Sequence, residues 1–176
     1  MIARLPDLAG EPILLYARPA LAAHRGKLLS AHGEQGTPVH AACFIRNREI
    51  VIETALLRSP RMLALIIVHE IFHFVWTRLG NGSRERFSDL LASEWENGAA
   101  GELGESAALK KCLLGERGYK IENPRLWREY ICESFCDTAA WLYAGVERHS
   151  SFTLPAKWRK RRKAWFAGVL VTPLEC

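Results

Sequence analysis

The chain has 176 residues, of which 49% are hydrophobic and 24% are charged. This balance is that of an ordinary globular protein and argues against disorder over most of the length. We therefore expect one domain that spans residues 1–176 and buries its own core. The formal net charge is +5, which leaves an anionic partner open without requiring one.

The cysteines and the start of the chain bear on the cellular compartment. There are five cysteines, an odd number, and Pro6, Asp7 and Glu11 stand where a secretory leader would need an apolar core. The apolar run MLALIIV, at residues 62–68, is too short to cross a bilayer. We expect a cytoplasmic protein with free thiols and no membrane association.

The first third of the chain predicts mainly strands. Residues 12–18, PILLYAR, are short and apolar enough for a strand, whereas residues 21–31 are predicted to form a helix. The stretch VHAACFIRNREIVIETALL, residues 39–57, is rich in β-branched residues and is interrupted at residues 46–48. It predicts two strands joined by a tight turn.

A long apolar helix follows these strands. Ser59-Pro60 is a typical helix start, with serine as the N-cap and proline at the first helical position, and we expect the helix to reach about Leu79. Because it is apolar nearly all round, it belongs in the middle of the protein. Two histidines and a glutamate nevertheless lie inside it, and burying them without partners would cost on the order of several kcal/mol.

The second half of the chain predicts four more helices. Helical spacing marks residues 83–95 and 105–114, and a loop is expected at 115–123. Asn123-Pro124 repeats the cap-and-proline start, for a helix to about Ala144, and a basic amphipathic helix should cover residues 155–170. The fold class is therefore α+β: a small, mainly antiparallel sheet packed on the central helix, which a second helix crosses.

The central helix carries the sequence His-Glu-Ile-Phe-His at residues 69–73. Residues four apart share a helix face, so the imidazoles of His69 and His73 can both reach one ion at about 2.0–2.1 Å. Glu70 lies roughly 100° around the axis, beside the ion but outside its direct coordination. Zinc lowers the pKa of a bound water toward ~7, and a carboxylate placed in this way can take the proton. We predict a Zn²⁺ site with Glu70 as the catalytic base.

A catalytic zinc needs a third protein ligand. Position 79 is Leu79, so the third histidine of the metzincin pattern is absent. Glu133 and Asp137 lie four residues apart on a later predicted helix, so both project from one face. Glu133 can ligate the metal, while Asp137 accepts the N–H of a ligand histidine and fixes its orientation.

These two motifs resemble the gluzincin branch of the zincin metallopeptidases, in a minimal single-domain form. The resemblance covers residues 48–145, and its exact matches are confined to the two motifs. It implies His69, His73 and Glu133 as zinc ligands, Glu70 as general base, Asp137 as a partner of a ligand histidine, and a peptide or protein substrate. It also implies that a strand within residues 48–55 is the edge along which the peptide lies.

The residue that steadies the oxyanion is not marked by any motif. Four side chains are candidates, and each is more readily interpreted as structural: Tyr119, Tyr130, Tyr143 and His149. Cys132 and Cys136 repeat the four-residue spacing and could form a second metal-binding face, although burial as small hydrophobes is the favoured interpretation.

The function predicted from these residues is that of a zinc-dependent hydrolase, most plausibly a metallopeptidase. The alternative is a regulatory or binding module of the same fold, with a retained zinc site and a basic segment that contacts nucleic acid or a protein partner. That segment, AKWRKRRK at residues 156–163, holds six of the 24 basic side chains. A solvated helix face is the favoured interpretation of the run, so nucleic acid is a possible but not a favoured partner.

Overall fold

A computed structural model describes residues 5–30, 36–115, 123–170 and 173–176 of the chain. The described chain is α+β, as predicted, with short strands in its first third and helices in most of the remainder. The helices are α1 (Pro60–Arg78), α2 (Asn81–Glu96), α3 (Glu105–Leu114), α4 (Pro124–Tyr143) and α5 (Ala156–Val169). A short 3₁₀ helix, Thr54–Arg58, precedes α1.

The strands form three small sheets. Their bounds are β1 (Leu8–Ala9), β2 (Leu14–Arg18), β3 (Leu21–His24), β4 (Lys27–Ser30), β5 (Thr37–Pro38), β6 (Ala41–Phe44), β7 (Glu49–Glu53) and β8 (Leu174–Glu175). One sheet has the order β2-β7-β6, the second has the order β4-β3-β5, and β1 pairs with β8.

The helix predicted at residues 21–31 is wrong over its described part. β3 and β4 form an antiparallel hairpin there, with His24 opposite Lys27. The two residues between them, Arg25 and Gly26, both have positive φ angles, of 47° and 75°. This is the backbone of the tight turns that match the twist of paired strands, so the Arg-Gly pair favours a hairpin over a continued helix.

The strand predicted within residues 48–55 exists as β7, but it is not an edge. β2 pairs with it in parallel on one side and β6 pairs antiparallel on the other, so its backbone has no free hydrogen-bonding side for a peptide. The sheet beside α1 is therefore mixed, whereas the β3-β4-β5 sheet is antiparallel. The tight turn predicted at residues 46–48 is confirmed, because β6 and β7 are joined there.

The starts predicted for α1 and α4 are confirmed, although the Ser59 side chain makes no capping hydrogen bond. Asn123 accepts a hydrogen bond from the Leu126 N–H at 3.1 Å, and a proline occupies the first turn of each helix. α1 is buried along most of its length and packs against α4. Phe72 lies at the centre of this contact, between the rings of Phe135 and Tyr143. The two helices that carry the predicted ligands are thus neighbours.

A buried arginine joins the helices around α4. Arg162 of α5 is fully buried and binds Glu94 of α2 at 2.7 Å and Glu102 at 2.7 Å. It also donates to the Ser134 hydroxyl of α4 at 2.9 Å. The basic run is thus not a solvated face throughout, because one of its cations lies in the core. Four others are exposed: Lys157, Lys160, Arg161 and Lys163.

The two carboxylates around Arg162 differ in how fully they are bonded. Glu102 also accepts hydrogen bonds from Tyr130 at 2.5 Å and from Lys111 at 3.0 Å. Burial opposes its ionisation, but the charges of Arg162 and Lys111 outweigh burial and lower its pKa. Among the described residues Glu94 Oε1 has no hydrogen-bond partner, and burial raises the Glu94 pKa despite Arg162. Arg162 is therefore the one group that both carboxylates share.

None of the described helices is long and apolar enough to cross a membrane.

Replacing Arg162 by alanine should destabilise the protein by about 3–5 kcal/mol, because two buried carboxylates would lose their common cation. The measurement is the free energy of unfolding in denaturant. Lys163→Ala, at the next position and exposed, is the matched control and should change stability by less than about 0.5 kcal/mol. Equal stability of the two variants would show that the buried cluster does not hold the fold.

Candidate metal centre

His69 is held by a carboxylate on each side. The residue is 7% exposed, and its Nδ1 lies 2.8 Å from Asp137 Oδ1. Its Nε2 lies 3.2 Å from Glu133 Oε2. Both carboxylates belong to α4, whereas His69 belongs to α1, so the packing of these two helices sets the geometry. Asp137 and Glu133 thus each lie against one ring nitrogen of His69.

His73 completes a triangle of donor atoms. Its Nε2 lies 3.2 Å from His69 Nε2 and 3.9 Å from Glu133 Oε2. Ligands at about 2.0–2.2 Å in a tetrahedral zinc site are separated by about 3.3–3.5 Å. The three atoms of this chain have separations close to that range. The two imidazoles and the carboxylate could therefore hold one divalent ion.

Electrostatics keep the carboxylate of this triangle ionised. Burial opposes the charge on Glu133, but the hydrogen bond from His69 and the charge of His73 outweigh burial and lower the Glu133 pKa. Burial likewise opposes a charge on His69, yet Asp137 and Glu133 raise its pKa well above the ordinary value. The triangle therefore attracts positive charge, and a divalent cation would compete with the proton on His69 Nε2.

Two other groups of donor atoms lie within 4.8 Å of one another. One combines His69 and His73 with Cys136, and the other combines Cys43, Glu70 and His73. Burial raises the pKa of the Cys136 thiol well above its ordinary value. The Glu133 carboxylate is the anionic donor that meets both imidazoles, and we favour the triangle that contains it.

Glu70 lies outside the triangle but beside it. Its side chain is buried and borders a cavity of about 360 Å³ that His69 and Asp137 also line. The Cys43 thiol of β6 lies against it, and burial, together with the charge of Glu70, raises the Cys43 pKa. Glu70 thus reaches the same space as His69 without being needed as a ligand.

Cys132 makes a polar contact, whereas the sequence favours burial as a small hydrophobe. Its sulfur lies 3.4 Å from Nδ1 of His73, the nitrogen that faces away from the triangle. A hydrogen bond from Cys136, against the effect of burial and with help from His73, lowers the Cys132 pKa to about 6. Its place directly before Glu133 was a signal, because neighbours on a helix lie about 100° apart and can reach the same imidazole.

Asp137 is itself fixed by the start of α3. Its Oδ2 accepts the backbone N–H of Ala107 at 2.9 Å, where a helix N-terminus favours negative charge. Gly104, the residue before α3, is so close that a Cβ there would overlap the Asp137 carboxylate. Gly104 has φ −169° and ψ 169°, an extended backbone open to any residue. The glycine is therefore required for its lack of a side chain, which the sequence alone did not reveal.

The described candidates for the residue that stabilises the oxyanion lie in different surroundings. Tyr130 donates its hydroxyl to Glu102 in the buried arginine cluster, and Tyr143 stacks on Phe72. Tyr119 lies outside the described residues. His149 lines the same cavity as Glu70, and its Nδ1 is 2.7 Å from the Ser151 hydroxyl. Of the described candidates, only His149 borders the cavity.

The cavity also borders the edge of the sheet. Residues 38–41, which lead from β5 into β6, form one wall, and the first half of α1 forms another. β6 and β2 are the two edge strands of their sheet among the described strands, and β6 is the one next to the cavity. The edge at the site is therefore β6, and the prediction of residues 48–55 is corrected to this neighbouring strand.

Comparisons of the chain with protein-family models, with curated proteins and with solved structures find no match.

Changing Gly104 to alanine should displace Asp137 and destabilise the protein by about 1–3 kcal/mol, the usual cost of overpacking. The hydrogen bond from His69 Nδ1 to Asp137 should weaken, which NMR of the labelled imidazole protons would detect. Gly80→Ala is the matched control, because a Cβ at Gly80 has no neighbour within 4 Å and its φ is −62°. An unchanged His69 proton signal in Gly104→Ala would contradict this role of the glycine.

Proposed function

We propose that this chain is a zinc-dependent hydrolase of zincin-like, gluzincin type that cleaves peptide bonds. The observation that carries the proposal is the triangle of His69 Nε2, His73 Nε2 and Glu133 Oε2, with separations of 3.2, 3.2 and 3.9 Å. A buried carboxylate, Glu70, lies beside the triangle and faces a cavity. Ligands and base thus have separate places in one site.

Zinc fits the chemistry of this donor set. Two imidazoles and one carboxylate are the protein ligands of several catalytic zinc sites, which keep a further position open. When bound, zinc supplies polarisation of a substrate carbonyl and activation of a water molecule. His69 and His73 each present one nitrogen to the ion, because their other nitrogens are engaged by Asp137 and Cys132.

The remaining roles fall to residues that line the cavity. Glu70 takes the proton of the attacking water on its carboxylate and returns it to the leaving amine. His149, which lines the same cavity, is the proposed donor of a hydrogen bond to the substrate oxygen. The edge of β6 can pair with an extended peptide, whose backbone groups would otherwise lose their hydrogen bonds on leaving water.

The walls of the cavity suit an uncharged side chain of the peptide. Apolar side chains line them on α1, between β5 and β6 and in the loop before α5: Met62, Leu65, Ile66, Val39 and Phe152. A volume of about 360 Å³ accommodates a medium or large apolar residue together with the peptide backbone. We therefore propose peptides with an apolar residue next to the cleaved bond as the substrates.

Replacing Glu70 by glutamine should retain zinc and lower kcat by at least about 100-fold, because the amide cannot accept the proton. Zinc content by metal analysis and turnover of an apolar peptide library measure the two effects separately. A chelator should abolish turnover in the parent, and added zinc should restore it.

Glu105→Gln is the control for this experiment. Glu105 borders the same cavity and is exposed, so the same chemical change is made without touching the proposed base. Its turnover should match the parent. Turnover of Glu70→Gln at the parental rate would rule out the proposed mechanism, and a parent without bound zinc would rule out the proposed site.

The alternative function, a binding module, has one supporting observation. α5 leaves four cations exposed: Lys157, Lys160, Arg161 and Lys163. The remaining two cations of the run have structural roles, because Arg159 donates to the Phe152 carbonyl at 2.6 Å and Arg162 is buried. The reduced exposed charge weakens this alternative relative to the hydrolase.

The alternative predicts salt-sensitive binding of duplex DNA. Changing Lys157, Lys160 and Lys163 to glutamine together should then lower the slope of log affinity against log salt by about 3. Fluorescence anisotropy at several salt concentrations measures it, and the fold is spared because Arg159 and Arg162 stay in place. Equal slopes for the variant and the parent would remove the alternative.

A further inference from the structure

The two imidazoles of the triangle are oriented by different chemical groups. Asp137 holds Nδ1 of His69 at 2.8 Å, as is common for histidines in metal sites. Nδ1 of His73 instead meets the Cys132 sulfur at 3.4 Å. Among the described residues no other side chain or backbone group hydrogen-bonds this nitrogen. The orientation of His73 thus depends on a thiol.

We propose that Cys132 is the positioning residue of His73, and that covalent modification of its thiol releases the metal. The inference rests on the proposed zinc site. The sulfur accepts the Nδ1–H of His73, which fixes the tautomer in which Nε2 is free to bind the ion. Cys132 touches neither substrate nor metal in this role and acts only through the imidazole.

The register of α4 explains how one helix supplies all of these groups. Cys132 and Glu133 are adjacent, and Cys136 and Asp137 repeat the pair one turn later. Glu133 meets both imidazoles in the triangle, while Cys132 and Asp137 each hold the outer nitrogen of one imidazole. A change at Cys132 should therefore affect His73 and leave the contacts of His69 in place.

The Cys132 side chain lies against the His73 imidazole and is not fully buried. Cys132 is partly exposed, whereas Cys136 is fully buried. With iodoacetamide, a carbon–sulfur bond forms, iodide leaves and the thiol proton passes to solvent. The carboxamidomethyl group makes the sulfur, which is 3.4 Å from Nδ1 of His73, bulkier. We expect the crowded His73 ring to turn away, so that the site loses one of its ligands.

The first test measures zinc affinity by competition with a chromophoric chelator. Cys132→Ala should bind zinc about 10–100-fold more weakly than the parent, the usual loss when the partner of a ligand histidine is removed. Cys132→Ser should lose less, because a hydroxyl can also accept the hydrogen bond. Cys112→Ser, at an exposed thiol on α3, is the control and should match the parent.

Two further readouts separate positioning from a general loss of structure. The Nδ1 proton of His73 in the zinc-loaded parent should exchange slowly with water by NMR, and in Cys132→Ala it should exchange fast. Iodoacetamide should release zinc from the parent and from Cys112→Ser but not from Cys132→Ser. Retention of zinc by Cys132→Ser assigns the release to this thiol rather than to Cys43 or Cys112.

The outcomes distinguish this inference from the proposed function. If the parent binds zinc and Cys132→Ala binds it equally tightly, the positioning role is wrong while the hydrolase proposal stands. If the alkylated parent keeps its zinc, the modification step is wrong. If the parent binds no zinc at all, the inference and the proposed function are both wrong.

Discussion

The guanidinium of Arg162 binds two buried carboxylates, Glu94 on α2 and Glu102 in the loop before α3. By holding Glu102, it fixes the loop that ends at Gly104, and Gly104 in turn lies against Asp137. Asp137 orients His69. A continuous series of contacts therefore runs from α5 through this loop to α4 and α1. A buried charge in the most basic stretch of the sequence thus supports the geometry of the candidate metal centre.

The candidate centre divides its tasks between two helices. α1 supplies the imidazoles and the base, and α4 supplies one carboxylate for the triangle and an acceptor for each outer ring nitrogen. This division makes the site dependent on how the helices pack. The contact of Phe72 with Phe135 and Tyr143 therefore helps to hold the geometry of the site, although none of these rings takes part in the proposed chemistry.

Local signals predicted α1 to α5, and they pointed to histidines and carboxylates that the structure brings together. Caps and apolar periodicity are properties of a few neighbouring residues, and the spacing of His69 and His73 is fixed by one helical turn. The features that the sequence did not predict depend on contacts between residues far apart in the chain, or on positive φ angles. The hairpin at residues 21–30 requires positive φ angles at its two turn residues. The central position of β7 depends on pairing with a strand about 35 residues earlier in the chain. The burial of Arg162 likewise depends on Glu94 and Glu102, which are remote from it in the sequence.

A Cβ at position 104 would overlap the Asp137 carboxylate. In a lineage of this fold the two positions should therefore covary, because a side chain at 104 is tolerated only with a smaller residue at 137. Such a pair would have no carboxylate on Nδ1 of His69. Substitution at position 104 would then mark descendants that keep the fold but have lost the geometry of the proposed metal site.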